Sequence, residues 1–133
     1  MVNGTCSTWT EVGSGFPQGS ILGPILLLLF ANGMPNAISS ARIAMFADDS
    51  KCYKIIEQES DFVNLQQDLH TLLHWSLRNE MYFQPAKCKN VRISRKRVSP
   101  SRIYNLNGCD LEVVESEKDL GVMIANDTSR RIT

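Results

Sequence analysis

An α+β fold, an antiparallel sheet with helices on one face, is what this sequence of 133 residues predicts. Three observations lead there. Apolar residues between positions 60 and 80 recur at three- and four-residue steps, the mark of one long amphipathic helix. Short β-prone runs flank two tight turns, at Asp48-Asp49 and at Asn107-Gly108. The elements follow the order strand, helix, hairpin, helix, strand, hairpin, strand, which keeps strand pairs antiparallel and helices apart from them. The length suits one domain able to bury a core. Apolar content of 43% with 21% charged residues excludes a disordered chain.

Thr5 to Val12 alternates weakly and is rich in Thr, Trp and Val, which predicts a strand. Gly13 to Ser20 is a loop, since three glycines and a proline sustain neither helix nor strand. Pro24 fits the first turn of a helix running to about Asn36 or Ala37, with an interruption near Gly33-Met34-Pro35. Its all-round apolarity predicts burial on most faces. Ala41 to Phe46 and Ser50 to Ile56 form a hairpin with the acidic pair at its tip. Ser60 is the expected N-cap of the long helix, which ends near Glu80. Phe62, Leu65, Leu69, Leu72, Leu73 and Leu77 mark its buried face. A turn at Gln84-Pro85-Ala86 leads to a strand over Asn90 to Ser94. Arg102 to Leu106 and Leu111 to Val114 flank Asn107-Gly108, a strong hairpin signal, and Lys118 to Ile124 supplies a last strand.

Formal net charge is zero, so nothing global requires a polyanionic partner. The distribution says more. No acid occurs from Met81 through Cys109, where Lys87, Lys89, Arg92, Arg95, Lys96, Arg97 and Arg102 all fall. Such a stretch can neutralise phosphates; a solvated charged surface is the alternative. The four cysteines are scattered with no Cys-x-x-Cys pair, which fits a reducing compartment and no zinc ribbon. His70 and His74 stand four apart on the long helix but lack a third ligand, so they are read as helix surface. The polar N-terminus is no signal peptide, and the apolar run Ile21 to Ala31 is too short to span a bilayer. An intracellular, non-secreted protein without membrane contact is expected, nuclear or cytoplasmic.

Phe46-Ala47-Asp48-Asp49 ends the apolar run Ile43-Ala44-Met45-Phe46. Adjacent carboxylates repel each other more strongly as water is excluded, and a divalent cation between them relieves the repulsion. Mg²⁺ takes carboxylate oxygens together with substrate phosphates, so the pair points to metal-assisted phosphoryl chemistry. A solvated turn is the other reading.

Taken together, several segments resemble the reverse transcriptases of non-LTR retrotransposons, in particular the jockey-like, LINE-type elements. They are Gly15-Phe16-Pro17-Gln18-Gly19-Ser20-Ile21-Leu22-Gly23-Pro24, Phe46-Ala47-Asp48-Asp49, Trp75 with Ala86-Lys87-Cys88, Leu106-Asn107-Gly108, and Asp119-Leu120-Gly121-Val122. The resemblance runs from about Asn3 to Asn126. It implies a polymerase palm-like antiparallel sheet backed by helices, incomplete at the N-terminus and followed by β-hairpins towards the thumb. The palm portion would be residues 1–98 and the palm-to-thumb hairpin region residues 99–133.

The resemblance also implies an RNA-directed DNA polymerase that joins a dNTP to a DNA primer on an RNA template with two Mg²⁺ ions. Asp48 matches the main metal ligand of this segment and Asp49 the second acid, with Lys87 at the lysine that protonates leaving pyrophosphate, a solvated surface lysine being its other reading. Phe16, Pro17, Gln18 and Gly19 match a nucleotide- and template-facing loop, for which a helix-entry loop capped by Ser20 is the bland alternative. Phe46 and Ala47 lie where the incoming nucleotide packs, with core packing as the other reading of Phe46. Leu120 and Gly121 resemble a primer-supporting hairpin, and Arg92, Arg95, Lys96 and Arg97 would meet template or primer phosphates. No aspartate precedes Asp48, and Glu11 has the wrong context to replace one. One principal carboxylate of the family is therefore missing, and the chain alone is expected to be inactive. A non-catalytic nucleic-acid-binding module built on the same scaffold is the alternative.

Overall fold

The computed structural model describes Glu11, residues 19–94 and residues 102–126. The strand expected over Thr5 to Val12 lies outside the described residues, as does the 98/99 boundary. The described chain is α+β. It has two helices and four two-stranded sheets.

Helix α1 (Leu22–Ala31) places Pro24 in its first turn, where a missing N–H costs no helical bond. The Ser20 hydroxyl accepts from the Gly23 amide at 3.2 Å, one of the otherwise orphan donors of that turn. The helix stops at Ala31, and a separate 3₁₀ turn covers Pro35–Ala37, so the expected interruption is present. The expected burial is not. Leu22, Ile25, Leu28, Leu29 and Phe30 are all at least half exposed, and Ala31 is the one buried helix residue. A helix that is apolar all round needs neighbours all round, and along α1 only Ala31 is buried.

Strands β1 (Arg42–Phe46) and β2 (Asp49–Tyr53) form the antiparallel hairpin, in register from Arg42 opposite Tyr53 to Phe46 opposite Asp49. Helix α2 (Glu59–Arg78) begins two residues before the expected start. Gln58, not Ser60, is its N-cap: the Gln58 side chain and Asp61 form a reciprocal capping box, which leaves Ser60 inside the first turn. At the other end the Met81 amide reaches the Ser76 carbonyl at 2.9 Å and Glu80 has φ +54, a Schellman-type stop with glutamate at the left-handed position.

A 3₁₀ turn (Pro85–Lys87) leads to β3 (Lys89–Val91). The Asn107-Gly108 turn joins β4 (Asn105–Leu106) to β5 (Cys109–Asp110). The next strand, β6 (Glu112–Val114), leaves that hairpin and pairs with β3 in parallel. The strand expected over Lys118 to Ile124 is a third hairpin, β7 (Ser116–Asp119) and β8 (Val122–Ala125), because Leu120 and Gly121 both take positive φ and reverse the chain. Among the described residues the strands do not join into one continuous antiparallel sheet.

The core lies where α2 meets β4 and the segment after β5. Tyr104, Leu106 and Leu111 are buried against Phe62, Leu65, Leu69, Leu73, Phe83 and Cys88. Leu72 is buried as the periodicity predicts, whereas Leu77 is 48% exposed. No described helix is long and apolar enough to cross a membrane.

Candidate active site

The acidic pair sits at the end of the β1–β2 hairpin. Phe46 and Asp49 close the ladder, leaving Ala47 and Asp48 as the two turn residues. Ala47 has φ +52, while Asp48 is not among the positive-φ residues. A left-handed alanine is uncommon, since its Cβ crowds the following carbonyl. The two carboxylates are exposed, and among the described residues neither has a hydrogen-bond or ion-pair partner. Lys51, the nearest cation along β2, is committed to Asp119 of β7. That ion pair brings the root of the Leu120-Gly121 turn beside β2. The repulsion between Asp48 and Asp49 is thus left to water, and the turn keeps its acceptors free.

Phe46 is 62% exposed beside this turn and is not a core residue. Lys87 is exposed on the 3₁₀ turn after α2 and forms no ion pair among the described residues. Gly19 takes φ +85, and apart from its chain neighbours no atom lies within 4 Å of where a side chain would begin. Its loop neighbours Phe16, Pro17 and Gln18 lie outside the described residues. Arg95, Lys96 and Arg97 also lie outside them.

Arg92 is half-buried, and its Nη2 donates to the Arg102 carbonyl while its Nε is buried without a partner. Arg102 in turn pairs with Glu59 and lies 6.0 Å above the Phe62 ring. These two guanidinium groups oppose the effect of burial on Tyr104, whose phenol is nevertheless pushed up, burial being the larger influence.

Sequence reading missed Asp68. It is 4% exposed in the middle of α2, and its carboxylate accepts three successive backbone N–H groups: Ser39 at 3.3 Å, Ser40 at 3.0 Å and Ala41 at 2.6 Å. These residues lead directly into β1. The signal was available, since Asp68 is three residues after Leu65 and four before Leu72, in phase with the apolar stripe. Cys52 of β2 is held as a thiol, with its pKa raised to about 11 by burial first and by the Asp68 charge second.

No cluster of three or more His, Cys, Asp or Glu suited to a metal occurs among the described residues. Asp48 and Asp49 therefore offer two carboxylates. Such a pair fits a hard cation whose other positions are filled by water and phosphate oxygens.

The sequence matches the reverse transcriptase (RNA-dependent DNA polymerase) family over residues 1–124, and the chain belongs to that family. It is similar to the probable RNA-directed DNA polymerase from transposon X-element of Drosophila melanogaster, with 30% identity over 132 residues. That match covers 96% of this chain and 14% of the relative. The RNA-directed DNA polymerase from mobile element jockey of Drosophila funebris is 31% identical over 134 residues, covering 92% of this chain and 14% of that protein. The jockey polymerase of Drosophila melanogaster is 30% identical over 134 residues with the same coverage. The chain thus spans 14% of the length of these curated relatives. No solved structure matches it.

Proposed function

We propose that this chain is part of the palm and palm-to-thumb region of a retrotransposon reverse transcriptase, with residues 1–98 in the former and 99–133 in the latter. The reaction is transfer of a nucleotide from a dNTP to a primer 3′-hydroxyl on an RNA template. The observation that carries this reading is the pair of unpartnered carboxylates at a hairpin turn in a chain of this family.

Asp48 and Asp49 are the residues that hold Mg²⁺. Bound between them, Mg²⁺ would supply positive charge for an attacking 3′-oxygen and a departing pyrophosphate. Lys87, with its ammonium free, neutralises or protonates that leaving group. Phe46 offers an exposed ring face at the incoming nucleotide. Gly19, with Phe16, Pro17 and Gln18, lets the backbone approach template and sugar closely. Leu120 and Gly121 support the primer terminus from the hairpin tied to β2. Arg92, Arg95, Lys96 and Arg97 neutralise backbone phosphates.

Two carboxylates without the family's other principal aspartate leave the chain by itself inactive. Primer extension by the purified chain should stay at background; extension abolished by Asp48→Ala would overturn that part of the reading. Binding of dNTP should depend on Mg²⁺ and be lost in Asp48→Asn, and metal-independent binding would count against the assignment. The run of basic residues without an acid favours a second reading, a nucleic-acid-binding module without catalysis. RNA binding that weakens with salt and ignores substitution of both aspartates would select it.

A further inference from the structure

The hairpin that carries the acidic pair is tied to α2 at both of its feet. On the entering side, Ser39, Ser40 and Ala41 direct their N–H groups at the Asp68 carboxylate. On the leaving side, Lys54 pairs with Asp61 of α2 at 3.4 Å and donates to the Ser40 hydroxyl. The partners close a ring from Asp61 through Lys54 and Ser40 to Asp68, so a single helix holds both ends of the hairpin.

Apolar packing between hairpin and helix is incomplete. An open cleft of about 180 Å³ is lined by Ile43 and Cys52 of the hairpin, by Leu65, Leu69 and Leu72 of α2, and also by β3 and the core segments around Tyr104. Side chains that face an open cleft have fewer contact partners, so polar anchors add to the seating of the hairpin. Asp68 is the central anchor. It is buried, accepts three bonds at once, and would leave three amides short of an acceptor if removed.

We propose that Asp68 is a positioning residue of the polymerase site: through the Ser39–Ala41 amides it fixes the direction in which the β1–β2 hairpin presents Asp48 and Asp49 relative to α2 and, beyond it, Lys87. The proposal rests on the polymerase reading for its purpose. Its geometric content, one rigid unit of hairpin and helix, stands independently of metal.

The test is solution NMR on the full chain. Residual dipolar couplings of the residue 42–53 amides and of the α2 amides should fit one alignment in the parent protein. In Asp68→Asn and Asp68→Leu the hairpin couplings should shrink and require a separate alignment, while β1–β2 and α2 each keep their native shifts. Loss of stability alone would not produce that signature. Amide exchange at Ser40 and Ala41 should rise about tenfold in Asp68→Asn, with the α2 interior unchanged. Asp68→Glu should restore part of the coupling. Hairpin couplings unchanged in both variants would overturn the proposal. If neither variant folds, the parent decides: two separate alignments, or rapid exchange at Ser40 and Ala41, would equally overturn it. Mn²⁺ broadening at the turn is measured on the same samples. Its absence with a rigid hairpin would sink the polymerase reading and leave the clamp standing.

Discussion

Ala47 carries the clearest local cost in the site. At φ +52 its Cβ is crowded, a strain of about 1 kcal/mol relative to glycine. Strain at such a turn is a reason to ask what the turn does, and here it separates Asp48 from the ladder. Ala47→Gly should raise unfolding stability by about 1 kcal/mol in thermal or urea melts, whatever it does to the site. Leu72→Ala should act in the opposite direction, costing about 2–4 kcal/mol in the same melts, because Leu72 is 5% exposed in the centre of α2. At this scale the hairpin was legible from the β-prone runs around the acidic pair, although the turn itself lies one residue earlier, at Ala47-Asp48, with Asp49 already in β2. Asp68 was not read although its phase on the helix was plain. An acid on an apolar stripe has meaning only once its partners, some 27 residues earlier in the chain, are known.

Single elements were legible where local chemistry decides them. The α2 stripe and the Asn107-Gly108 turn are local signals, and both are present. The α2 start shifted because Gln58 and Asp61 cap each other, a box that a serine search overlooks. The parallel pairing of β3 with β6 has no local signature at all, as it joins Lys89 to Glu112 across an intervening hairpin.

The capping box also sets a pH dependence. Asp61 is held below the usual carboxylate value of 3.8 by the backbone N–H groups of Glu57 and Gln58 first, with Lys54 adding to them. A carboxyl whose folded value is depressed contributes stability above its unfolded value and loses it as pH falls through the folded one. The melting temperature should therefore decline as pH drops below about 4, and Asp61→Asn should flatten that acid limb. At the other end of the helix, Glu80→Gly should stabilise by about 1 kcal/mol, since glycine takes φ +54 without a Cβ penalty.

Across the whole molecule, the described strands form separate pairs, and α1 shows most of its apolar surface to solvent. Leu28 and Leu29 are 64% and 67% exposed. A contiguous apolar patch of this kind, together with open strand edges, promotes association. Sedimentation of the purified chain should show concentration-dependent self-association, and Leu28→Glu combined with Leu29→Glu should reduce it without lowering the melting temperature. The α+β class was legible in the sequence because it follows from the order of elements. How the pairs adjoin was not, because that depends on long-range contacts such as Lys51 with Asp119 and Lys89 with Glu117.

A polymerase role requires that the Asp48 and Asp49 carboxylates at the hairpin end gather a divalent cation. Titrating Mn²⁺ into the isotope-labelled chain and following amide line broadening reads this directly. Broadening centred on residues 46–50, reversed by excess Mg²⁺ and lost in Asp48→Asn, is the expected result. Broadening spread over other surface acids, or unchanged in Asp48→Asn, would contradict that role.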